Sequence, residues 1–295
     1  MSLARNFIRC IPSRSICTSN QLFVPVPLTY TSYSSPEIDK NPPVVIVHGL
    51  FGQKTNWNSV GKALHRKLEA PVFAVDVRNH GSSPHVATMS YSEMAEDLVE
   101  FIDKVREETQ KPRVNLLGHS MGGKIVMRMA IDSKWCDRIE KLIVEDASPK
   151  GYKGKKAEFR GIVAGMRQLD LRKTRRELLV DLEPAIPDLS IRHFILTNLQ
   201  PSERHPGSME WKCNLDALES YVENSLESAL PNGRFDGPTL FILGGRSGYV
   251  PDSLRPEIRS LFPQAEFDTI PDAGHWAHAE KPQLFVESVC KFLNE

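Results

Sequence analysis

From Pro42 onward, short aliphatic runs alternate with longer segments of helical periodicity, and that alternation admits few folds. "VVIVH" (Val44 to His48), "VFAVDV" (Val72 to Val77), "VNLLG" (Val114 to Gly118), "LIVED" (Leu142 to Asp146) and "TLFILGG" (Thr239 to Gly245) are apolar almost throughout. Strands covered on both faces read this way. A sixth run, "AEFDTI", precedes the final helical segment. "SYSEMAEDLVEFIDKVREE" puts Met94, Leu98, Phe101, Ile102 and Val105 on one stripe with acids opposite, and Ser90 or Ser92 opens it. "PQLFVESVCKFL" repeats the pattern, with Pro282 in its first turn. The expectation is an α/β protein with a mostly parallel sheet and helices on both faces. Residues 150–236 break the alternation with helical patterns and no strong strand, which predicts a helical cap inserted into a core formed by 21–149 and 237–295.

One of the predicted strands runs straight into "GHSMG". Gly118-His119-Ser120-Met121-Gly122 is a G-x-S-x-G between strand and helix, and small residues at 118 and 122 are what a strained turn presenting Ser120 requires. The pentapeptide alone arises by chance about once in ten chains of this length. Its place after a strand and before a helix is the stronger signal. A serine hydroxyl needs a base to take its proton as it attacks a carbonyl. "TIPDAGHWAH", after the last strand, offers His275, with Gly274 permitting the turn and His278 as the neighbouring alternative. The oxyanion formed by that attack needs two fixed N–H donors. Met121 at the start of its helix supplies one, and Leu50 in "HGLFG", after the first of these strands, supplies the other.

"HGLFG", "VDVRNHGSSPH", "GHSMGGK" and "AGHWAHAEKP" together resemble the α/β-hydrolase fold superfamily, over nearly everything from Pro42 to the C-terminus. Longer strings, among them "HGLFGQKTNWNSV", "RHFILTNL" and "NLDALESY", are similar to a subfamily of mitochondrial α/β-hydrolase-domain proteins and small bacterial esterases. The resemblance implies a catalytic acid, and in many members it stands three residues ahead of a Val-Pro. Here "GGRSGYVP" has Ser247 at that place. Some relatives use the end of the preceding strand instead, which makes Asp146 the expected acid, with Glu145 facing the other way. Asp216 in "NLDALESY" is the alternative acid. Asp252 would need a backward turn past Pro251, Asp76 in "VDVRNHG" is a structural feature of this fold, and a dyad without an acid remains open.

The reading is a serine hydrolase that cleaves acyl esters or thioesters through Ser120, His275 and Asp146, without a metal or an organic cofactor. The alternative is a non-catalytic binding or scaffold protein on the same fold, for which Ser247 is the best support. The expected partner is a small-molecule or lipid acyl substrate, met by a monomer. "KGYKGKKAEFRGIVAGMRQLDLRKTRR" holds ten Lys or Arg against two acids, a run that either steers anionic acyl carriers or forms a solvated basic face. Phe51, Met166, Phe194, Leu199 and Trp276 are candidates for an acyl pocket. A formal net charge of zero argues against a protein whose main task is holding nucleic acid, and no apolar run reaches the roughly 18 residues that span a bilayer. Cys10, Cys17, Cys136, Cys213 and Cys290 are scattered without metal or disulfide spacing, and read as reduced thiols. Before Glu37 the chain carries Arg5, Arg9 and Arg14, many hydroxyls and no acid, with Leu3, Phe7 and Ile11 on one helical stripe. This is transit-peptide composition, so residues 1–20 predict import into the mitochondrion, to the matrix.

Overall fold

The computed structural model describes residues 24–35, 39–152 and 154–295, so the expected transit peptide at 1–20 lies outside the described residues. In chain order the first elements are β1 (Tyr30–Tyr33), β2 (Val44–Val47), α1 (Asn58–Leu68), β3 (Val72–Val75), α2 (Tyr91–Thr109), β4 (Val114–His119), α3 (Met121–Ala130) and β5 (Ile139–Glu145). Residues 150–236 hold α4 (Lys156–Gln168), α5 (Arg175–Asp181), α6 (Leu189–Leu196), β6 (Leu199–Pro201), β7 (Met209–Trp211) and α7 (Leu215–Asn224). The chain then closes with β8 (Thr239–Gly244), α8 (Arg255–Leu261), β9 (Ala265–Ile270), α9 (Ala277–Glu280) and α10 (Pro282–Asn294).

Seven strands form one sheet in the order β1-β3-β2-β4-β5-β8-β9, parallel except for β1, which pairs antiparallel with β3. The near-continuous apolar runs have the cause expected of them. Val44 and Ile46 of β2 face α1 and α10 with Val72, Ala74, Leu117 and Ile143, while Val45 and Val47 face α2 and α3 with Phe73, Val75, Leu116 and Val144. β2 and β3 therefore bury every side chain on both faces, and both are aliphatic or aromatic throughout. α2 starts at Ser90, whose hydroxyl accepts from the Glu93 amide while the Glu93 side chain returns to the Ser90 amide, so two of the helix's unpaired donors are met.

Chain order and spatial order part company at β2, because β3 lies on one side of it and β4 on the other. A crevice opens at such a reversal, outside the carboxyl ends of the strands, and the loops after β2 and β4 meet there. Two pieces were not foreseen: the edge strand β1, and the antiparallel pair β6–β7 within residues 150–236. Lys124, one turn into α3, is fully buried and ties this segment to the sheet layer. Its ammonium donates to the Ser228 carbonyl and lies 4.7 Å from the ring centre of Tyr91 and 5.0 Å from that of Tyr152. Burial draws its pKa down to about 8. No described helix is long and apolar enough to cross a membrane, and Cys136, Cys213 and Cys290 are free thiols.

Candidate active site

Ser120 sits at the junction of β4 and α3 with φ 52° and ψ −115°, a conformation sparsely populated by residues other than glycine. The surroundings enforce it. A Cβ on Gly118 would stand 2.3 Å from the Gly122 carbonyl oxygen, and one on Gly122 would stand 2.2 Å from that of Val47. Only glycines let α3 leave the sheet this closely, and the serine amide is fixed by donation to the Glu145 carbonyl at 2.9 Å. The strain, of order 1–3 kcal/mol, is borne by packing elsewhere and aims the side chain at a cavity of about 180 Å³.

His275 and Leu50 line that same cavity, with Phe51, Phe159, Ile162, Phe194, Tyr249 and Trp276. Of the proposed acyl-pocket residues, Phe51, Phe194 and Trp276 are in its wall and Leu199 and Met166 are not. A Cβ on Gly49 would come within 3.2 Å of the Ser120 Cβ, so the loop after β2 passes directly against the serine. Neither the Leu50 amide nor that of Met121, first residue of α3, donates to a protein acceptor among the described residues. His275 Nδ1 lies 2.5 Å from Asp146 Oδ2, and the carboxylate is buried at the end of β5. With Nδ1 held by the Asp146 carboxylate, Nε2 is the ring nitrogen that this contact leaves free.

The other acids stand elsewhere. Asp216 forms an ion pair with Arg167 at 2.5 Å and its side chain is 85% exposed, so it does not reach the cluster. Asp252 is likewise exposed and pairs with Arg255. Asp76 accepts from the amides of Lys54 at 2.6 Å and Ser82 at 2.8 Å and from the Thr29 hydroxyl at 3.1 Å, a local structural task.

A family model described as the alpha/beta hydrolase fold matches residues 42–282. The chain belongs to the α/β-hydrolase fold family. It is 38% identical over 287 residues to the sn-1-specific diacylglycerol lipase ABHD11 of Mus musculus, covering 95% of this chain and 90% of that protein. It is also 33% identical over 257 residues to the esterase YbfF of Escherichia coli, covering 86% of this chain and 94% of that one. A solved structure of a marine microorganism esterase superposes with a TM-score of 0.80 at 34% identity, covering 90% of this chain and 99% of that one. This α/β hydrolase is accordingly an enzyme of the esterase and lipase kind.

Three further residues of the hydrolase brace the histidine loop. Glu145 points away from Asp146, as alternation along a strand requires, and accepts from the amide and Nδ1 of His278, both at 2.9 Å. His278 stacks on Trp57 with ring centres 4.0 Å apart, and His119 Nε2 bonds the His275 carbonyl at 2.8 Å. His119, Glu145 and His278 bring possible metal-ligating atoms within 4.8 Å of one another, but these contacts already occupy Nδ1 of His278 and Nε2 of His119. The sequence signal for this brace was the second histidine of "GHWAH", read there only as a rival base.

Burial holds His80, His119 and His278 uncharged, with pKa values drawn down to about 3, and raises Glu145 to about 7. The unfolded chain binds protons at these histidines near pH 6.5 and the folded chain does not, so their contribution is lost as pH falls from 6.5 toward 3. Glu145 acts in the opposite sense between about 4.5 and 7, but singly. Thermal unfolding followed by circular dichroism is expected to show Tm falling steadily from pH 6.5 to 4.5. A flat or rising Tm over that window contradicts the uncharged histidines.

Proposed function

We propose that this hydrolase cleaves carboxylic esters, and thioesters of similar shape, through a covalent acyl-enzyme on Ser120. The observation that carries the reading is the 2.5 Å contact to Asp146 made by Nδ1 of His275, which lines the cavity that the strained Ser120 also lines. Ser120 Oγ adds to the acyl carbon while His275 Nε2 takes its proton, and the carbonyl electron pair moves onto oxygen against the amides of Leu50 and Met121. Collapse of the adduct expels the alcohol or thiol, which leaves with the proton from His275. Water then adds by the same route and releases the acid. Asp146 holds the ring in the tautomer with Nδ1 protonated and stabilises the imidazolium.

The cavity supports a short acyl group. At about 180 Å³ it is smaller than the roughly 300 Å³ at which pockets for drug-sized ligands begin. Its apolar wall comes largely from α4 and α6, through Phe159, Ile162, Ile191 and Phe194, which supports reading 150–236 as a cap that selects the acyl chain. Wider clefts of about 660 Å³ and about 700 Å³ border it at Trp276 and at Tyr249, with room for the alcohol portion. The basic run gives little steering, because Lys155 pairs with Glu158, Lys156 and Arg160 with Glu223, Arg172 with Asp170 and Lys173 with Asp181. The mouse relative is named for diacylglycerol, so glycerides belong in the substrate test. The composition of residues 1–20 supports import into mitochondria.

A panel of p-nitrophenyl esters and diacylglycerols of matched acyl length decides this. Each methylene that fits or fails to fit an apolar pocket changes kcat/KM about 10-fold or more. The optimum is therefore expected at about two to four acyl carbons, with a loss of at least about 10-fold by eight. Absence of all turnover, or rates that keep rising with chain length, would count against the proposal.

A further inference from the structure

The string "RHFILTNL" ends in a residue that fastens residues 150–236 to the loop after β2. Asn198, fully buried between α6 and β6, donates from Nδ2 to the Phe51 carbonyl at 2.7 Å and to that of Ile195 at 3.2 Å. Its Oδ1 has no partner among the described residues. A buried oxygen left unpaired costs stability, so the asparagine is held here for its two donors. One bond away, the buried Gln53 donates from Nε2 to the Thr197 carbonyl at 2.9 Å. The α6–β6 junction thus grips the loop at two neighbouring points.

Peptide geometry carries that grip to Leu50. A trans peptide is planar, with its C=O and N–H on opposite sides, so fixing one fixes the other. The Phe51 carbonyl held by Asn198 shares its peptide with the Gly52 amide, and that amide donates to the Gly49 carbonyl at 2.9 Å. The Gly49 carbonyl shares its own peptide with the Leu50 amide, the donor proposed for the oxyanion. Two rigid planes and one hydrogen bond therefore join Asn198 to that donor. His48 Nδ1 adds a bond to the Gly49 carbonyl at 2.8 Å, and His80 Nε2 accepts from the Phe51 amide at 3.2 Å. Phe51 has φ 61°, in the left-handed region that a bulky residue seldom adopts, so its peptides need such holds. Asn198 is not in the wall of the cavity of about 180 Å³ that Ser120 lines, which removes substrate contact as its task.

We infer that Asn198 is a positioning residue for the oxyanion: through the Phe51–Gly52 and Gly49–Leu50 peptides it keeps the Leu50 amide aimed beside Ser120, so that docking of α6 and β6 on the loop completes the site. This rests on the reading of Ser120 as nucleophile and of the Leu50 amide as an oxyanion donor. Removing one such donor outright costs about 10²- to 10³-fold in kcat. Asn198→Leu keeps the volume and removes the hold while the donor stays, so kcat is expected to fall about 10- to 100-fold with KM within about threefold.

The test measures kcat and KM of the full chain on a short-chain p-nitrophenyl ester, and Ki for a short-chain trifluoromethyl ketone. Ser120 Oγ adds to the ketone carbon, its proton passes to His275, and the carbonyl electron pair forms an oxyanion at the same two amides. In Asn198→Leu, Ki is expected to rise by the factor by which kcat falls. Fluorophosphonate labelling taken to completion counts competent sites, so kcat is compared per site and loss of fold does not enter. Tyr91→Phe removes a different buried bond between the same two parts, from Tyr91 of α2 to Tyr221 of α7, and is expected to leave kcat and Ki within about threefold of the parent. Parent kcat in Asn198→Leu, a fall in kcat with Ki unmoved, or an equal loss in Tyr91→Phe overturns the inference. Should Asn198→Leu not fold, Gln53→Met breaks the neighbouring bond from the other side and carries the same test at about 3- to 10-fold. If neither folds, the two bonds serve the fold and the positioning role is overturned. Labelling and turnover in the parent with unaffected variants sink that role alone, whereas no labelling and no turnover in the parent sink the nucleophile with it.

Discussion

Ser120→Ala is expected to lower kcat on a short-chain ester by about 10⁵- to 10⁶-fold, to within the residual rate that binding and oxyanion donors give without a nucleophile. The reason is local. Ser120 is the only hydroxyl on the turn that Gly118 and Gly122 force between β4 and α3; Met121 has none, and the imidazole of His119 is spent on the His275 carbonyl. Alanine fits the same turn and leaves its glycine contacts unchanged, so Tm should move by no more than a few degrees. Initial rates measured at enzyme concentrations high enough to detect the residue of activity check the first part, and a melting curve checks the second. A variant that keeps more than about a hundredth of the parent rate would remove Ser120 from the chemistry.

Asp146→Asn is expected to cost about 10⁴-fold in kcat with little change in KM. The substitution keeps the shape of the side chain but exchanges a carboxylate for an amide at the oxygen that meets His275 Nδ1 and Ser247 Oγ. An amide nitrogen at that place cannot accept from Nδ1, so the ring is held in the wrong tautomer or left unheld, and the imidazolium loses its counter-charge. Asp216→Asn in parallel should leave kcat unchanged, because that carboxylate is spent on Arg167 at the surface. Steady-state kinetics on the two variants separate the acids. Equal losses in both, or loss in Asp216→Asn alone, would contradict the assignment.

The parts of the structure legible in the sequence are those whose cause is local. The central strands are apolar on both faces because both are covered, so β2 to β5 and β8 could be placed from composition within a few residues. Ser120 was legible because strand, turn and helix constraints fall within one pentapeptide. The proposed acid was not, since its contact with His275 joins residues 129 apart in the chain, and only a resemblance pointed to Asp146. The same holds for Ser247, which bonds Asp146 across 101 residues. Viewed as a letter it marked a missing acid; viewed in place it donates to the Asp146 carboxylate. β1 is a partly exposed edge strand of four residues, and β6 and β7 are three residues each, too short for a periodicity to register. Asp216 belongs to a string shared with a subfamily, but a helical acid can equally be met by a surface arginine, and Arg167 is there.

The central claim is a covalent acyl-enzyme on Ser120, and trapping it is the most direct test. The protein is mixed with excess p-nitrophenyl acetate, quenched in acid within the first turnovers, and its intact mass and peptide masses are recorded. The account predicts an added acetyl group confined to the peptide containing Ser120, absent from Ser120→Ala and accumulating when deacylation is slowed in His275→Ala after loading with a more reactive ester. Ester turnover in the parent with no adduct on Ser120 at any quench time, or with the acyl group on another residue, would contradict it.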